Sequence, residues 1–313
     1  MSTESSCVQV PHMNGGAGDS SYAHNATAPL KVMMKAKPIM EESIKKMFER
    51  IIPSQSCFRI ADLGCSSGVH ALIAASNIMD TIGMAAKEAM KISNTNINEK
   101  PPAFQQAPKD IKGEIQLPIN ERSNVYLTSK APPSYKDQFK KDLQLFLRSR
   151  SDEIVPGGAM LLTLIGRYDT PDFISPSSIF RQVIVDMALE NIIEMSKLES
   201  LRLPAYYPPA KEILEMIEEE GSFKIESLES LRLCWDGSNL NEDGTDNDLY
   251  SLVDVRKRGV FLTRYIRSVF EPLLKAQLGE GLMDELFLRF QNKVVQFMDR
   301  LEYPILVLSL FAN

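Results

Sequence analysis

Residues 58–72 read FRIADLGCSSGVHAL, in which an apolar run ends in an acid and leads through two glycines into an alanine-rich segment. The apolar run predicts a β-strand, and the sequence from Ala71 to about Ile92 has the character of a helix. Gly64 and Gly68 flank the turn between them. Glycines let a ligand approach the backbone closely, and a helix N-terminus offers free amides to an anionic group. The stretch therefore predicts an α/β fold with a nucleotide-like ligand at this turn, and an ordinary glycine-containing turn is the alternative.

The spacing of these glycines does not fit two common nucleotide-binding fingerprints. The dinucleotide fingerprint G-x-G-x-x-G needs a third glycine, and the phosphate loop G-x-x-x-x-G-K-[ST] needs a lysine. What remains is acid-x-G-x-x-x-G at a strand-to-helix junction, with Asp62 as the acid. A nucleotide-binding oxidoreductase is therefore only a weaker alternative.

Composition and charge narrow the class of protein. The 313 residues are 44% apolar, enough for one large α/β domain or two smaller ones. A net charge of −6 with interspersed charges argues against nucleic acid as a partner. No apolar stretch approaches the roughly 18–20 residues of a membrane span, and the N-terminus lacks the layout of a signal peptide. Four cysteines without disulfide-like spacing predict a reduced, cytoplasmic protein.

Local patterns predict the order of elements. The first 30 or so residues are polar and glycine-containing and read mostly as loop, and a helix is expected after Pro38. The proline-rich segment 93–133 has little periodicity and reads as irregular. Farther on, the patterns predict a helix over 134–154 that begins with a capping pair of Ser134 and Asp137. A turn at 156–158 and a strand over 159–166, buried on both faces, are expected next. Largely helical sequence follows over 177–220, and further strands are predicted over 223–233 and 303–311.

Several stretches together resemble the plant SABATH family of carboxyl methyltransferases. They are MNGGAGDSSYAHNA at 13–26, ADLGCSSG at 61–68, FLRSRSDEIVPGGAMLLTLIGR at 146–167, FEPLLKAQLGEGLMDELFLRF at 270–290 and ILVLSL at 305–310. The resemblance implies a Rossmann-like methyltransferase sheet with an α-helical cap and S-adenosylmethionine as the methyl donor. It implies a small plant acid such as salicylate, benzoate, jasmonate or a cinnamate as the acceptor, although some members methylate xanthine nitrogens.

The resemblance also implies a set of site residues. The cofactor-binding residues are expected to be Tyr22, Asp62, Gly64, Cys65, Ser66, Ser67, Gly68 and His70, and the substrate-binding residues Ile179, Phe180, Tyr206 and Tyr303. A lone histidine at a helix start is more often a cap or surface group, and large apolar residues more often pack in the core. No catalytic side chain is expected, because a carboxylic acid with a pKa near ~4 is already ionised at neutral pH. No metal site is expected either, since the magnesium-binding Asp-x-Phe-Asn segment of some members is not matched here.

The domain layout follows from the same resemblance. Residues 1–170 and 222–313 are expected to form the cofactor-binding core, with the N-terminal residues as a loop that closes over the cofactor. Residues 171–221, with part of 236–301, are expected to form the helical cap around the acyl pocket. Because members of the family often dimerise, the resemblance also implies a homodimer.

The family pattern breaks between Gln105 and Gln106, where PPAFQ runs straight into QAPKD. About 60 residues expected there are missing, which corresponds to two βα units of about 30 residues each. In the family this part supplies an acid for the cofactor ribose, contacts to adenine and an aromatic that clamps the substrate carboxylate. A sheet without these strands would expose apolar edges. The chain is thus a mis-spliced product or a natural compact variant, and one hypothesis is an inactive isoform that pairs with an intact homologue.

Overall fold

The computed structural model describes residues 13–16, 18–25, 27–50, 57–63, 69–92, 103–106, 133–168, 174–201, 206–234 and 254–313. The helices of these segments are α1 (Tyr22–Asn25), α2 (Thr27–Arg50), α3 (Val69–Ile92), α4 (Pro133–Ser151), α5 (Pro176–Leu189), α6 (Met195–Ser200), α7 (Ala210–Glu220), α8 (Val255–Leu278) and α9 (Met283–Val295). The strands are β1 (Cys57–Ile60), β2 (Ala103–Gln106), β3 (Ala159–Ile165), β4 (Phe223–Cys234) and β5 (Glu302–Ala312).

The five described strands form two sheets. β1 and β2 make a parallel pair, and β5 lies between β3 and β4 in an antiparallel three-stranded sheet. The buried part of β5, from Pro304 to Ala312, is a nearly continuous apolar run. Such a run is typical of a strand that is covered on both faces. The predicted closing strand over 303–311 is confirmed, as is the strand predicted over 223–233.

Side chains of β5 alternate between two hydrophobic cores, because successive residues of a strand point to opposite faces. Ile305 and Val307 join the core built mainly by α5, α8 and α9. Leu306, Leu308 and Leu310 join the core formed with α4 and α7. Complete burial of a leucine contributes about 1.5–3 kcal/mol. The central strand therefore ties the two helical layers together.

Strand β3 departs from its predicted burial on both faces. Met160 is buried, whereas Thr163 and Ile165 are exposed. Among the described residues β3 pairs only with β5, so its other edge has no described strand beside it. The prediction was wrong because an apolar run shows only that a strand can be buried. Its actual burial depends on neighbouring strands.

Two helices begin earlier than the sequence patterns predict. α2 begins at Thr27 and continues through Pro38, where the prediction had loop before the proline. Ala28, Ala36 and Ile39 of this helix are buried in the α5–α8–α9 core, and this packing offsets the cost of an interior proline. α4 begins at Pro133, so Ser134 lies in its first turn and not at the predicted capping position. Proline is well tolerated there because first-turn amides lack helical partners.

The junction at Gln105–Gln106 lies inside β2. This strand runs parallel to β1, with Phe58 opposite Phe104 and Ile60 opposite Gln106. The prediction of irregular structure over 93–133 is therefore wrong for 103–106, where pairing with β1 satisfies backbone groups that a loop would leave free. The two strands end side by side.

None of the described helices combines the length and apolar character needed to cross a membrane.

Candidate active site

A strand precedes the glycine stretch and a helix follows it, in the order predicted from residues 58–72. β1 ends at Ile60, the partly buried Asp62 follows, and α3 begins at Val69. The predicted cofactor-binding residues between them, Gly64, Cys65, Ser66, Ser67 and Gly68, lie outside the described residues, as does the side chain of His70. Their roles therefore stay predictions.

Tyr22 is held against helix α8. Its ring centroid lies 6.1 Å from that of Tyr265, at an interplanar angle of 42°, and the two hydroxyls share a hydrogen bond. The Tyr22 amide donates to the carbonyl oxygen of Asn14 at 2.8 Å. The segment that carries the predicted cofactor-closing tyrosine is thus held against helix α8.

A third tyrosine completes what we call the tyrosine group, formed by Tyr22, Tyr207 and Tyr265. Tyr207 interacts electrostatically with Tyr265 and with the cation of Arg181, and it shares a hydrogen bond with Ser177. Burial raises the pKa of each of the three phenols above its ordinary value. All three are therefore protonated at neutral pH. Tyr265 donates to Tyr22, so the hydroxyls of Tyr22 and Tyr207 remain to donate to an anionic ligand.

Tyr206, which the resemblance selects for substrate binding, lies in a different environment from its neighbour. Its hydroxyl donates to the carboxylate of Glu212 on α7, and its ring centroid is 5.2 Å from that of Phe139 on α4. Tyr207 instead joins the tyrosine group. The sequence signal for Tyr207 was the tyrosine pair itself, which leaves open which member faces the site.

Ile179 and Phe180 lie on α5, which begins with a capping box of Ser175 and Ser178. Both are almost completely buried, at 2% and 3% exposure. Phe180 stacks near Phe270 and packs against Phe287 and Phe290, with ring-centroid distances of 6.2, 5.6 and 5.2 Å respectively. This packing fits the alternative role of core residues. Tyr303 lies on β5, and its side chain is outside the described residues.

The polar part of α5 faces the tyrosine group. Ser177 and Arg181, which interact with Tyr207, flank Ile179 and Phe180 on the same helix. A ligand beside Tyr207 would therefore meet a cation and several hydroxyls. Across the described segments, no group of three or more His, Cys, Asp or Glu side chains is placed to hold a metal ion.

A surface cleft of about 530 Å³ lies elsewhere, between α5 and α9. Its lining includes Asp186, Glu190, Arg289 and Lys293. Arg289 donates to Glu190 at 2.7 Å, and Lys293 pairs with Asp186. These ion pairs satisfy the charges of the cleft, and none of the predicted site residues lines it. The cleft is therefore not the candidate substrate pocket.

Comparison with protein families identifies the class of enzyme. Residues 8–101 and 102–313 match the sequence model of the family described as SAM dependent carboxyl methyltransferase. The match breaks four residues before the Gln105–Gln106 junction, which supports the predicted internal gap.

Similar proteins agree with this assignment. The chain is 29% identical to a probable caffeine synthase (MTL2) of Coffea canephora, covering 92% of each chain. It is also 29% identical to a jasmonate O-methyltransferase of Arabidopsis thaliana, covering 97% of this chain and 98% of the relative. The second alignment extends over 383 residues, more than the 313 of this chain, as an internal gap requires.

A solved structure shares the fold. The chain of a loganic acid methyltransferase with SAH superposes with a TM-score of 0.73 at 19% identity, covering 96% of this chain and 99% of that chain. The predicted methyltransferase fold, with its α/β sheet and helical layers, is thereby confirmed. Since the family match covers nearly the whole sequence, the chain belongs to the S-adenosylmethionine-dependent carboxyl methyltransferases.

Proposed function

We propose that this chain transfers the methyl group of S-adenosylmethionine to the carboxylate of a small plant acid held beside the tyrosine group. The observation that carries the proposal is the contact of Tyr22 with Tyr265, next to Tyr207. It brings a residue of the predicted cofactor-closing segment to the hydroxyls that would receive the acid. Cofactor and acceptor can therefore meet at one place.

The β1–α3 junction fits the methionine end of the cofactor. Asp62 follows the strand, and the 24-residue helix α3 begins after the glycine turn with free amides for a carboxylate. The fit is poorer at the adenosine end. β2 ends with Gln106 beside Ile60, and the ribose-binding acid that the family pattern places after such a strand is missing. We expect weaker cofactor binding than in a chain with the full segment.

The chemistry needs positioning and no general base. When bound, the cofactor supplies an electrophilic methyl group on its sulfonium. The acid is already ionised at neutral pH, and the protonated phenols of Tyr22 and Tyr207 with the cation of Arg181 would orient its carboxylate. Good alignment alone can lower a barrier by roughly 7–11 kcal/mol.

Two acceptor classes compete, because one relative is named a jasmonate O-methyltransferase and another a probable caffeine synthase. We favour the carboxylate, which the hydroxyls and the cation of the site suit better than a neutral xanthine ring. The test is transfer of a labelled methyl group to panels of jasmonate-like acids, benzoates and xanthines, followed by mild base. Label released as methanol supports an ester, whereas base-stable label on a xanthine contradicts the proposal.

A second candidate is a catalytically inactive isoform that acts by pairing with an intact homologue. The break in the family match and the outer edge of β3, which has no strand beside it within the described part of the chain, favour it. Absence of transfer to every acceptor, combined with co-purification of this chain and a full-length relative, would support this alternative.

A cytoplasmic location and a homodimer also belong to the proposal. The spacing of the four cysteines, which is not typical of disulfides, supports a reducing compartment. Support for the homodimer comes from the family resemblance. Light scattering of the purified chain tests the dimer, and a molar mass near that of one 35.1 kDa chain would contradict it.

A further inference from the structure

Asn14, in the N-terminal segment of residues 13–25, contacts helix α8 in addition to the Tyr22–Tyr265 pair. The backbone amide of Asn14 donates to the carbonyl oxygen of Ser268 at 2.9 Å. Its side-chain Nδ2 donates to Oε2 of Glu271 at 3.2 Å. Its carbonyl oxygen accepts from the amide of Tyr22 at 2.8 Å. Asn14 thus links two points of α8 to the tyrosine of the candidate site.

The acceptor at Ser268 exists because α8 contains Pro272. In an α-helix the carbonyl of residue 268 would accept from the amide of residue 272, and proline has no amide hydrogen. A buried carbonyl left without a donor is costly, and Ser268 is completely buried. The amide of Asn14 supplies the missing donor from outside the helix.

Glu271 provides the second acceptor and is itself fixed in place. Its Oε1 accepts from Arg267 at 2.9 Å and lies 3.5 Å from Nζ of Lys275, which leaves Oε2 for Asn14. Only 5% of the residue is exposed. A buried carboxylate held by two cations on its own helix is a rigid acceptor, and hydrogen bonds to charged groups are stronger than neutral ones.

Residues of the segment are also hydrogen-bonded to one another. Gly16 has a φ of 88°, in the left-handed region that favours glycine, and the chain turns back toward Asn14. Nδ2 of the buried Asn25 donates to the carbonyls of Asp19 at 2.7 Å and of Ser21 at 2.8 Å. The Tyr22 amide donates to the Asn14 carbonyl oxygen, so fixing Asn14 helps to fix Tyr22.

We propose that Glu271, together with the Ser268 carbonyl freed by Pro272, forms a docking site for Asn14 that sets the position of Tyr22 at the active site. Glu271 is then a positioning residue, since it acts through Asn14. The effect on cofactor binding rests on the proposed function, in which Tyr22 closes over S-adenosylmethionine. The docking itself does not depend on any ligand.

The test exchanges donor and acceptor across the contact. Asn14→Asp places a carboxylate against that of Glu271 and should undock the segment. In the double variant Asn14→Asp with Glu271→Gln, the glutamine can donate to the new aspartate while its oxygen still accepts from Arg267. Asn313→Asp is the matched control, because Asn313 donates to Gly221 at the other end of the chain and makes the same change of charge.

The measurement is amide hydrogen exchange of residues 13–25 in the ligand-free protein. We expect Asn14→Asp to accelerate exchange at Asn14 and Tyr22 about tenfold or more, and the double variant to restore most of the protection. The control should match the wild type. The proposal is overturned if the wild-type segment is unprotected, if Asn14→Asp leaves exchange unchanged, or if the double variant exchanges as fast as the single one.

S-adenosylhomocysteine affinity is the second readout. It should follow the same order, weakening about tenfold in Asn14→Asp and recovering in the double variant. If no variant binds this ligand, the wild type included, the proposed function fails while the exchange data still decide the docking. If affinity is equal in all variants but exchange is not, Tyr22 is docked by Asn14 and does not close over the cofactor.

Discussion

At the scale of single residues, the two adjacent tyrosines of the YYPP sequence make contacts with different parts of the molecule. Tyr206 donates to Glu212 and packs on Phe139, which ties α7 to α4. Tyr207 shares a hydrogen bond with Ser177 and interacts with Tyr265. The first arrangement stabilises the fold, and the second offers a protonated hydroxyl to the candidate pocket.

This difference predicts opposite outcomes for two equivalent changes. Tyr207→Phe removes a hydroxyl from the site, and we expect KM for the acid to rise about tenfold, the usual worth of one hydrogen bond to a charged group. Tyr206→Phe should leave KM unchanged and lower the free energy of unfolding by about 1 kcal/mol. Steady-state kinetics and urea unfolding of both variants check this. A raised KM in Tyr206→Phe alone would show that the wrong member of the pair was assigned to the site.

The charge on Glu271 predicts how docking depends on pH. Burial alone would raise the pKa of Glu271, but hydrogen bonds and charge attraction from Arg267, with contributions from Asn14 and Lys275, hold it below the ordinary value. A lowered folded-state pKa gives stability that is present above the unfolded pKa and is lost as the pH falls through the folded value. Asp284 and Glu280, which pair with Arg267 and Lys275, also face this cluster.

Protection of residues 13–25 should therefore be constant at neutral and mildly acidic pH and decrease only below the ordinary pKa of a glutamate, about 4.3. Exchange rates corrected for the intrinsic effect of pH measure this. In Glu271→Gln this loss of protection at acidic pH should be absent, because the amide does not titrate in this range. If docking weakens between pH 6 and 7, a titrating group other than Glu271 causes its pH dependence.

At the scale of elements, β5 and β3 have similar apolar sequences and unequal burial. Leu308 at the centre of β5 is completely buried, whereas Ile165 at the end of β3 is 36% exposed. The closing strand could be predicted from its composition, since a central strand needs apolar residues on both faces. The exposure of β3 could not, because it depends on strands that lie elsewhere in the chain or are missing.

Paired substitutions measure this difference in packing. Leu308→Ala leaves a cavity in the core formed with α4 and α7 and should lower the free energy of unfolding by about 2–5 kcal/mol. Ile165→Thr retains a β-branched residue at a partly solvated position and should cost less than about 1 kcal/mol. Chemical denaturation of both variants gives the values. Equal losses would mean that the edge of β3 is covered in solution.

At the scale of the whole molecule, distance along the chain limited what the sequence could predict. The strand before Asp62 and the helix after the glycines are neighbours in the sequence, and their order could be predicted. The tyrosine group draws on positions 22, 207 and 265, and no local pattern joins them. Likewise, Pro38 was expected to limit a helix, whereas burial of its neighbours against a distant core keeps α2 continuous. The break at Gln105–Gln106 was found because the family resemblance stops there, and the family match breaks close to the same place.

The central claim is that a chain with half of its cofactor surroundings still binds the cofactor at the β1–α3 junction. Thermal unfolding with S-adenosylhomocysteine tests it most directly, because a ligand that binds only the folded state at 100 times its Kd stabilises that state by about 2.7 kcal/mol. We predict a rise in the melting midpoint that saturates with ligand and is reduced in Asp62→Asn. An unmoved melting curve would contradict the claim and favour the inactive isoform, and a shift caused by NADH instead would favour an oxidoreductase.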